Sequence, residues 1–233
     1  MTDNNTLFDK RKNRPNIVFI NLDQLSAVNT ISSSGCQYVD TPNIDKLMES
    51  GISFERSYSA DPICCPARTS WWTGLYSSEH GVVINNIPCH QDLPDLGPYL
   101  EENGYNVFYS GKWHVPGLSV RKSFHALHEG SWWGEITDSD VTRSAKSFLR
   151  SYQEDKPFFL ALGYLNPHDI CLTWHQYQGV EVPQPIADGI LDLADDLVLE
   201  AEQLVLFIEY LRENEEFFGE RFRGQHRLLL RRF

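Results

Sequence analysis

The sequence predicts an α/β fold in which helices flank a mostly parallel central sheet. Two short apolar runs, residues 16–22 and 158–164, carry the nearly continuous β-branched and aromatic pattern of strands that are buried on both faces. Each run ends in polar residues, and helix signals lie between the two runs. Because open parallel sheets bind ligands beyond the carboxyl ends of their strands, we expect the functional site along one edge of this sheet.

Residues 41–48 predict the first helix, because Thr41 can cap its start and Pro42 fits the first helical position. Gly51 ends this helix, and the alternating pattern of residues 52–54 predicts the beginning of a strand. The same kinds of signal predict three more elements: a helix from Pro66 to Gly74, a helix over residues 96–103 and a strand over residues 105–109.

The composition indicates one medium-sized domain with an acidic surface. The chain has 233 residues, with 32 Asp and Glu against 20 Lys and Arg, which gives a formal net charge of −12. A chain this acidic is a poor candidate for general nucleic-acid binding, which needs a basic face. No apolar run approaches the roughly 20 residues that span a bilayer, and residues 1–14 lack the apolar segment of a secretory signal. We therefore expect a cytoplasmic protein that binds neither nucleic acid nor membrane.

The five cysteines predict free thiols rather than a disulfide framework. Their number is odd, and two of them, Cys64 and Cys65, are adjacent, which strains a disulfide between them. A reduced set of thiols agrees with a cytoplasmic location and leaves a thiol available for chemistry.

The two ends of the chain differ from the segment between them. We interpret residues 1–14 as a polar arm and residues 15–233 as the α/β unit. Apolar residues spaced alternately four and three apart predict an amphipathic helix over residues 190–212, which packs on its own domain or, alternatively, binds a partner. Residues 219–233 turn abruptly basic and show no strand pattern.

The most specific segment is Cys64-Cys65-Pro66-Ala67-Arg68, at the predicted start of a helix. A thiol that lies just ahead of a helix N-terminus and four residues before an arginine sits in a positive field. Such a site suits an anion or an activated sulfur. The plainer alternative is a buried thiol beside a helix that begins at a proline.

This segment resembles the signature of the sulfatase family, in which the cysteine is oxidised after translation to formylglycine. Four other segments resemble the family in the same order: residues 16–24, 41–45, 104–114 and 157–168. The resemblance covers about residues 14–170. It implies the fold shared by sulfatases and alkaline phosphatases, of which this chain would hold an apparently truncated N-terminal portion, and the hydrolysis of a small-molecule or carbohydrate sulfate ester.

The resemblance assigns a metal site to the end of the first strand. Asp23 offers carboxylate oxygens and Gln24 a carbonyl oxygen, which suit Ca²⁺ or Mg²⁺ better than zinc. Cys64, converted by a formylglycine-generating enzyme, is implied to be both a metal ligand and the nucleophile. Its hydrated aldehyde carries one hydroxyl that attacks sulfur and a second whose deprotonation then expels sulfate.

Four basic side chains are implied to handle the sulfate and the protons. Arg68 orients the hydrated aldehyde, and Lys112 holds a sulfate oxygen as a point charge. His114, two residues after Lys112 on a segment that we expect to be extended, takes a proton from the hydrated aldehyde. His168 contacts the sulfate and helps to protonate the leaving oxygen.

Two other functions stay open at the level of the sequence. A phosphonate or phosphate ester hydrolase of the same superfamily would use the same cations, because its substrates are also tetrahedral oxyanions. Alternatively, the chain is an inactive truncated fragment, because nothing after His168 resembles the family's later motif that completes the metal site. A fragment of this kind predicts weak Ca²⁺ binding and exposed apolar surface.

Overall fold

The computed structural model describes residues 14–26, 30–130 and 134–169, the side chains of residues 134–137 excepted. The predicted helix over residues 190–212 and the basic segment 219–233 lie outside the described residues, as does the predicted arm apart from its last residue. None of the helices in the described part of the chain has the length and apolar character that crossing a membrane requires.

Four strands form one parallel sheet in the described part of the chain. Their bounds are β1 Ile17–Leu22, β2 Asn106–Gly111, β3 His125–Glu129 and β4 Phe158–Tyr164. The order across the sheet is β1-β4-β2-β3, so that β4 lies between β1 and β2 and pairs with both in parallel. All seven residues of β4 are buried, which confirms the sequence prediction of a strand covered on both faces.

Six α-helices flank this sheet among the described residues, and a short 3-10 turn precedes the first of them. Their bounds are α1 Pro42–Ser50, α2 Cys64–Thr73, α3 Ser77–His80, α4 Leu96–Glu102, α5 Val120–Ser123 and α6 Gly134–Ser151, and the 3-10 turn spans Ser32–Ser34.

The hydrophobic core lies on both faces of the sheet, and β4 contributes to each side. Its even-numbered residues contact one cluster, which includes Val141 and Phe148 of α6. The odd-numbered Phe159 and Ala161 contact the other cluster, which includes Trp72 of α2. Because side chains alternate along a strand, only a strand covered on both faces reads as a continuous apolar run.

Several elements differ from the sequence prediction. The strand predicted to begin at residues 52–54 is wrong: these residues pair with none of the described strands, and the side chains of Ile52 and Phe54 are exposed. The helix predicted after Pro66 begins two residues earlier, at Cys64. The sequence prediction missed β3 and α6.

Thr41 occupies the N-cap position of α1, but its hydroxyl donates to the carboxylate of Asp45 at 3.1 Å and makes no capping hydrogen bond.

Two glycines allow the segment after β2 to approach β4 closely. Gly111 has φ +105°, and a Cβ atom there would lie 2.1 Å from the carbonyl oxygen of Gly163. A Cβ on Gly163 would lie 2.6 Å from the carbonyl oxygen of Lys112. Because both residues are glycines and carry no side chain, the two segments can come close enough for the amide of Lys112 to donate to the Gly163 carbonyl at 2.8 Å. The fold thereby places Lys112 at the carboxyl edge of the sheet.

Candidate active site

Cys64 is the first residue of α2 and lies among polar groups from three other segments. Its Sγ atom is 4.0 Å from Oδ1 of Asp23, which directly follows β1. Hydrogen bonds from the side chains of His114 and His168 lower the pKa of the Cys64 thiol to about 6. The thiol is half-buried, so the group that the sequence singles out as the nucleophile is accessible and polarised.

Cys65, the next residue, has a different environment. Its side chain is completely buried in a small apolar cluster with Val82 and Cys89. Its backbone N–H donates to Oδ1 of Asn85 at 2.9 Å, which satisfies one of the free amides at the start of α2. The two adjacent thiols therefore differ in exposure: Cys64 is half-buried beside Asp23, His114 and His168, whereas Cys65 is completely buried.

Asp23, Arg68 and Lys112 form a buried charged cluster behind Cys64. The Arg68 guanidinium, 1% exposed, donates to the Lys112 carbonyl at 2.7 Å and to Oδ1 of Asn21 at 2.9 Å, and lies 3.4 Å from Oδ2 of Asp23. The Lys112 ammonium forms an ion pair with the same Asp23 oxygen. The charged cluster thus joins the ends of β1 and β2 to helix α2.

The charges of this cluster keep Asp23 ionised. Burial raises the pKa of the Asp23 carboxyl, but the positive charges of Arg68 and Lys112 outweigh burial, so its pKa lies below the ordinary value. The Lys112 carbonyl also accepts a hydrogen bond from the buried Tyr109 hydroxyl. Lys112 is therefore held at both its backbone and its ammonium group.

His114 reaches Cys64 by a route that differs from the expected one. The strand ends at Gly111, and His114 has φ +52°, in the left-handed region, so His114 itself is not extended. The backbone turns because β2 ends at Gly111, so the expected two-residue alternation does not continue to His114. Hydrogen bonding to Cys64, and secondarily to Cys65, raises the pKa of His114 above its ordinary value.

His168 lies in the turn that follows β4. Its Nδ1 atom is 3.0 Å from Oδ1 of Asp169, a side chain that is 1% exposed. This contact, together with hydrogen bonding to Cys64, raises the pKa of His168 to about 9, so the ring carries a positive charge at neutral pH. Ligand-type atoms of Asp23, Cys64 and His168 all lie within 4.8 Å of one another.

Asp23 fits a Ca²⁺ or Mg²⁺ site through its carboxylate oxygen, whereas Cys64 fits such a site only once its sulfur is replaced by oxygen. One oxygen of Asp23 faces Cys64, whereas the other binds Lys112. Gln24 has an exposed side chain and φ +63°, so the chain turns sharply directly after Asp23. Because Ca²⁺ takes about six to eight oxygen ligands, the described residues could supply only part of its coordination shell.

Five residues that support the site had no role predicted from the sequence. They bind the backbone or side chains of the predicted site residues and of the adjoining turns: Asn21, Asn85, Tyr109, Asp138 and Asp169. Asn21 and Asp169 adjoin predicted polar strand ends, which is a usable sequence signal. Asp138 lies in a helix that the sequence prediction missed, so no signal pointed to it.

The sequence matches one protein family along most of its length. A family model described as Sulfatase matches residues 15–217. The uncharacterized sulfatase YidJ of Escherichia coli strain K12 is 36% identical over 104 residues, which cover 45% of this chain and 21% of that protein. The N-acetylglucosamine-6-O-sulfatase of Bacteroides thetaiotaomicron is 27% identical over 172 residues, which cover 70% of this chain and 30% of that protein. The chain thus spans less than a third of the length of these two relatives.

Solved structures share the fold of this chain. The protein BT4656, solved with its substrate D-glucosamine-2-N,6-O-disulfate, matches with a TM-score of 0.58 and 24% identity, covering 74% of this chain and 40% of that one. The phosphonate monoester hydrolase of Agrobacterium radiobacter matches with a TM-score of 0.55 and 23% identity, covering 66% and 41%. These matches confirm the helix-flanked parallel sheet that the sequence predicted.

Proposed function

The chain belongs to the sulfatase family, and we propose that it carries the nucleophile and the anion-binding groups of an enzyme that hydrolyses organic sulfate esters. The observation that carries the proposal is the convergence on Cys64 of two imidazoles, an ammonium group and a carboxylate from separate segments. A thiol in a core position would not need this arrangement, because buried structural cysteines lie among apolar groups, as Cys65 does.

Cys64 is proposed to be converted to formylglycine by a formylglycine-generating enzyme. The hydrated aldehyde supplies the oxygen that attacks sulfur. The half-buried position of Cys64, at the N-terminal and positive end of the helix dipole, suits a residue on which negative charge develops. Arg68 acts indirectly, because its buried guanidinium binds the Asp23 carboxylate and the Lys112 carbonyl and so holds both residues beside residue 64.

The sulfate group is proposed to lie between Lys112 and His168. The Lys112 ammonium is a compact positive charge, and the His168 ring is positively charged at neutral pH, so both stabilise an anion at this edge of the sheet. His168 can also donate its proton to the leaving oxygen. His114, which hydrogen-bonds Cys64, is placed to accept a proton at residue 64.

Asp23, Gln24 and residue 64 are proposed to hold one side of a Ca²⁺ or Mg²⁺ ion. A bound cation of this type would offset the negative charge of the sulfate and lower the pKa of the attacking hydroxyl. Asp23 remains ionised for this purpose, because Arg68 and Lys112 keep its pKa low.

The substrate class is proposed to be a sulfate ester of a carbohydrate or another small molecule. One relative is named N-acetylglucosamine-6-O-sulfatase, which supports a sulfated sugar as the substrate. A second candidate is a phosphonate or phosphate ester, which the fold similarity to a phosphonate monoester hydrolase favours. The cations at the site suit either tetrahedral anion.

Intact-mass measurement after co-expression with a formylglycine-generating enzyme tests the proposal. Conversion should lower the mass by about 18 Da, whereas competing oxidations of cysteine raise it, and peptide mapping should place the loss at Cys64. The converted chain is then assayed with 4-nitrophenyl sulfate, phosphate and phosphonate esters. An unmodified Cys64, under conditions that convert a control sulfatase, would contradict the proposal. A higher kcat/KM for a phosphorus ester would reverse the order of the two candidates.

A further inference from the structure

We propose that two buried carboxylates, Asp138 and Asp169, position His168, the first by holding the backbone of its turn and the second by holding its ring. This inference rests on the proposed function, because it treats His168 as the group that contacts the sulfate. Both residues are positioning residues, since each acts through His168.

Asp138 fixes the start of the turn. It lies in the second turn of α6 and is 3% exposed. Its Oδ1 accepts a hydrogen bond from the Leu165 amide at 2.7 Å, and its Oδ2 accepts one from the Asn166 amide at 2.9 Å. Both oxygens of one carboxylate therefore satisfy two successive amides, at the point where β4 has ended and offers no ladder partner.

The rest of the turn closes on these two anchored residues. The His168 amide donates to the Leu165 carbonyl at 3.1 Å. The Asp169 amide donates to Oδ1 of Asn166 at 3.3 Å. Both of these amides thus donate to a residue that Asp138 holds, and we infer that the backbone position of His168 depends on Asp138.

Asp169 fixes the ring rather than the backbone. Its carboxylate lies 3.0 Å from Nδ1 of His168 and is almost completely buried. A carboxylate that binds one ring nitrogen of a histidine sets the ring orientation and leaves the other nitrogen for the reaction. Here Asp169 binds Nδ1, so that Nε2 is the ring nitrogen left for other groups.

The chemistry of the two positions argues against a packing role alone. Burial of a carboxylate is unfavourable unless hydrogen bonds compensate for the lost water, and an apolar residue would pack at position 138 without that cost. Both carboxylates direct their bonds at the same five-residue turn. Thr142, one helical turn after Asp138, gives a contrast, because its hydroxyl bonds the Tyr164 hydroxyl of β4 at 3.0 Å.

Nuclear magnetic resonance on the unconverted chain tests the two roles separately, at one pH throughout. The variants are Asp138→Asn, Asp169→Ala and Asp169→Asn, with Thr142→Val as the matched control for the contact between α6 and β4. The readouts are hydrogen exchange of the Leu165 and Asn166 amides, and the His168 ring resonance, assigned with His168→Gln.

In Asp138→Asn we expect the two amides to exchange at least about tenfold faster and the His168 ring resonance to shift or broaden. In Asp169→Ala the ring resonance should change while the two amides keep their protection, and Asp169→Asn should restore most of the ring signal. Thr142→Val should leave the His168 resonance unchanged. If Asp138→Asn does not fold, Asn166→Ala, which removes the acceptor of the Asp169 amide, tests the same turn.

An unchanged His168 ring resonance in folded Asp138→Asn or Asp169→Ala would overturn the proposal, as would an equal response in Thr142→Val. These readouts need no hydrolysis. If Cys64 is not converted but the resonances respond as expected, the proposed function fails while the positioning of His168 stands.

Discussion

The charged cluster of Asp23, Arg68 and Lys112 and the turn that carries His168 hold the site by different forces. In the charged cluster, one buried anion balances two buried cations, so each charge depends on the others. In the turn, backbone amides donate to side-chain oxygens, and the bonds are spread over several residues. We therefore expect substitutions in the charged cluster to affect stability strongly and with a dependence on pH, whereas those in the turn act mainly on His168.

The largest expected effect comes from Arg68→Ala. This substitution removes a guanidinium that is 1% exposed and leaves Asn21 and the Lys112 carbonyl without its hydrogen bonds. Removing one partner of a buried ion pair typically costs about 3–5 kcal/mol. Urea unfolding followed by circular dichroism should therefore show a large fall in the midpoint.

Arg121→Ala is the matched control. Arg121 forms an ion pair with Glu129, but its side chain is 77% exposed. Exposed pairs contribute about 0–1 kcal/mol, so the unfolding midpoint should hardly move. Equal losses in the two variants would show that burial does not set the strength of the charged cluster.

Asp23→Asn should lower stability at neutral pH by about 1–3 kcal/mol, because the hydrogen-bonded charge pairs to Arg68 and Lys112 are lost. The folded pKa of Asp23 lies below the ordinary value of 3.8. Its contribution to stability is therefore complete above about pH 4 and is lost as the pH falls through the folded pKa.

Because asparagine does not ionise, the difference in stability between the wild type and Asp23→Asn should shrink as the pH falls below the ordinary pKa of Asp23. Urea midpoints of both proteins at pH 7, 4 and 3 measure this difference. A difference that stays constant across that range would mean that the carboxylate charge contributes nothing to the fold.

The charged cluster and the turn that carries His168 also show which elements and site residues can be predicted from the sequence. The strands β1 and β4 follow from continuous apolar runs, and the start of α2 follows to within two residues from the proline near its N-terminus. The polar residues at their ends follow as well, because parallel strands bring their carboxyl ends to one edge. These local rules placed Asp23 and His168 at a common edge, and the family resemblance added Cys64; the structure brings the three residues together.

Residues that act through a distant partner were not predictable in this way. Asp138 lies 27 positions before Leu165, and only the packing of α6 on the sheet brings the two together. The left-handed φ of His114 and the closeness of Gly111 to Gly163 depend likewise on where β2 ends beside β4. The missed α6 is different, since Val141, Ala145 and Phe148 repeat at helical spacing and carry a usable signal.

Substitutions of the two neighbouring thiols, Cys64 and Cys65, should have the smallest effect on stability. Cys65→Ser places a hydroxyl in a completely buried apolar cluster, which should cost about 1–2 kcal/mol. Cys64→Ala alters a half-buried residue and should cost less than this. Urea unfolding of both variants measures the two losses.

Function should depend on the same two thiols in the opposite order. Cys64→Ala should abolish the mass loss produced by a formylglycine-generating enzyme, together with any sulfate-ester hydrolysis, because only Cys64 lies two residues before Pro66 and faces His114 and His168. Cys65→Ser should keep the modification, since Cys65 lies one residue out of that register and its side chain is completely buried in an apolar cluster. Intact-mass spectrometry of both variants checks this contrast. Loss of the modification in both would indicate that the pair acts as packed thiols, and it would contradict the assignment of Cys64 as the nucleophile.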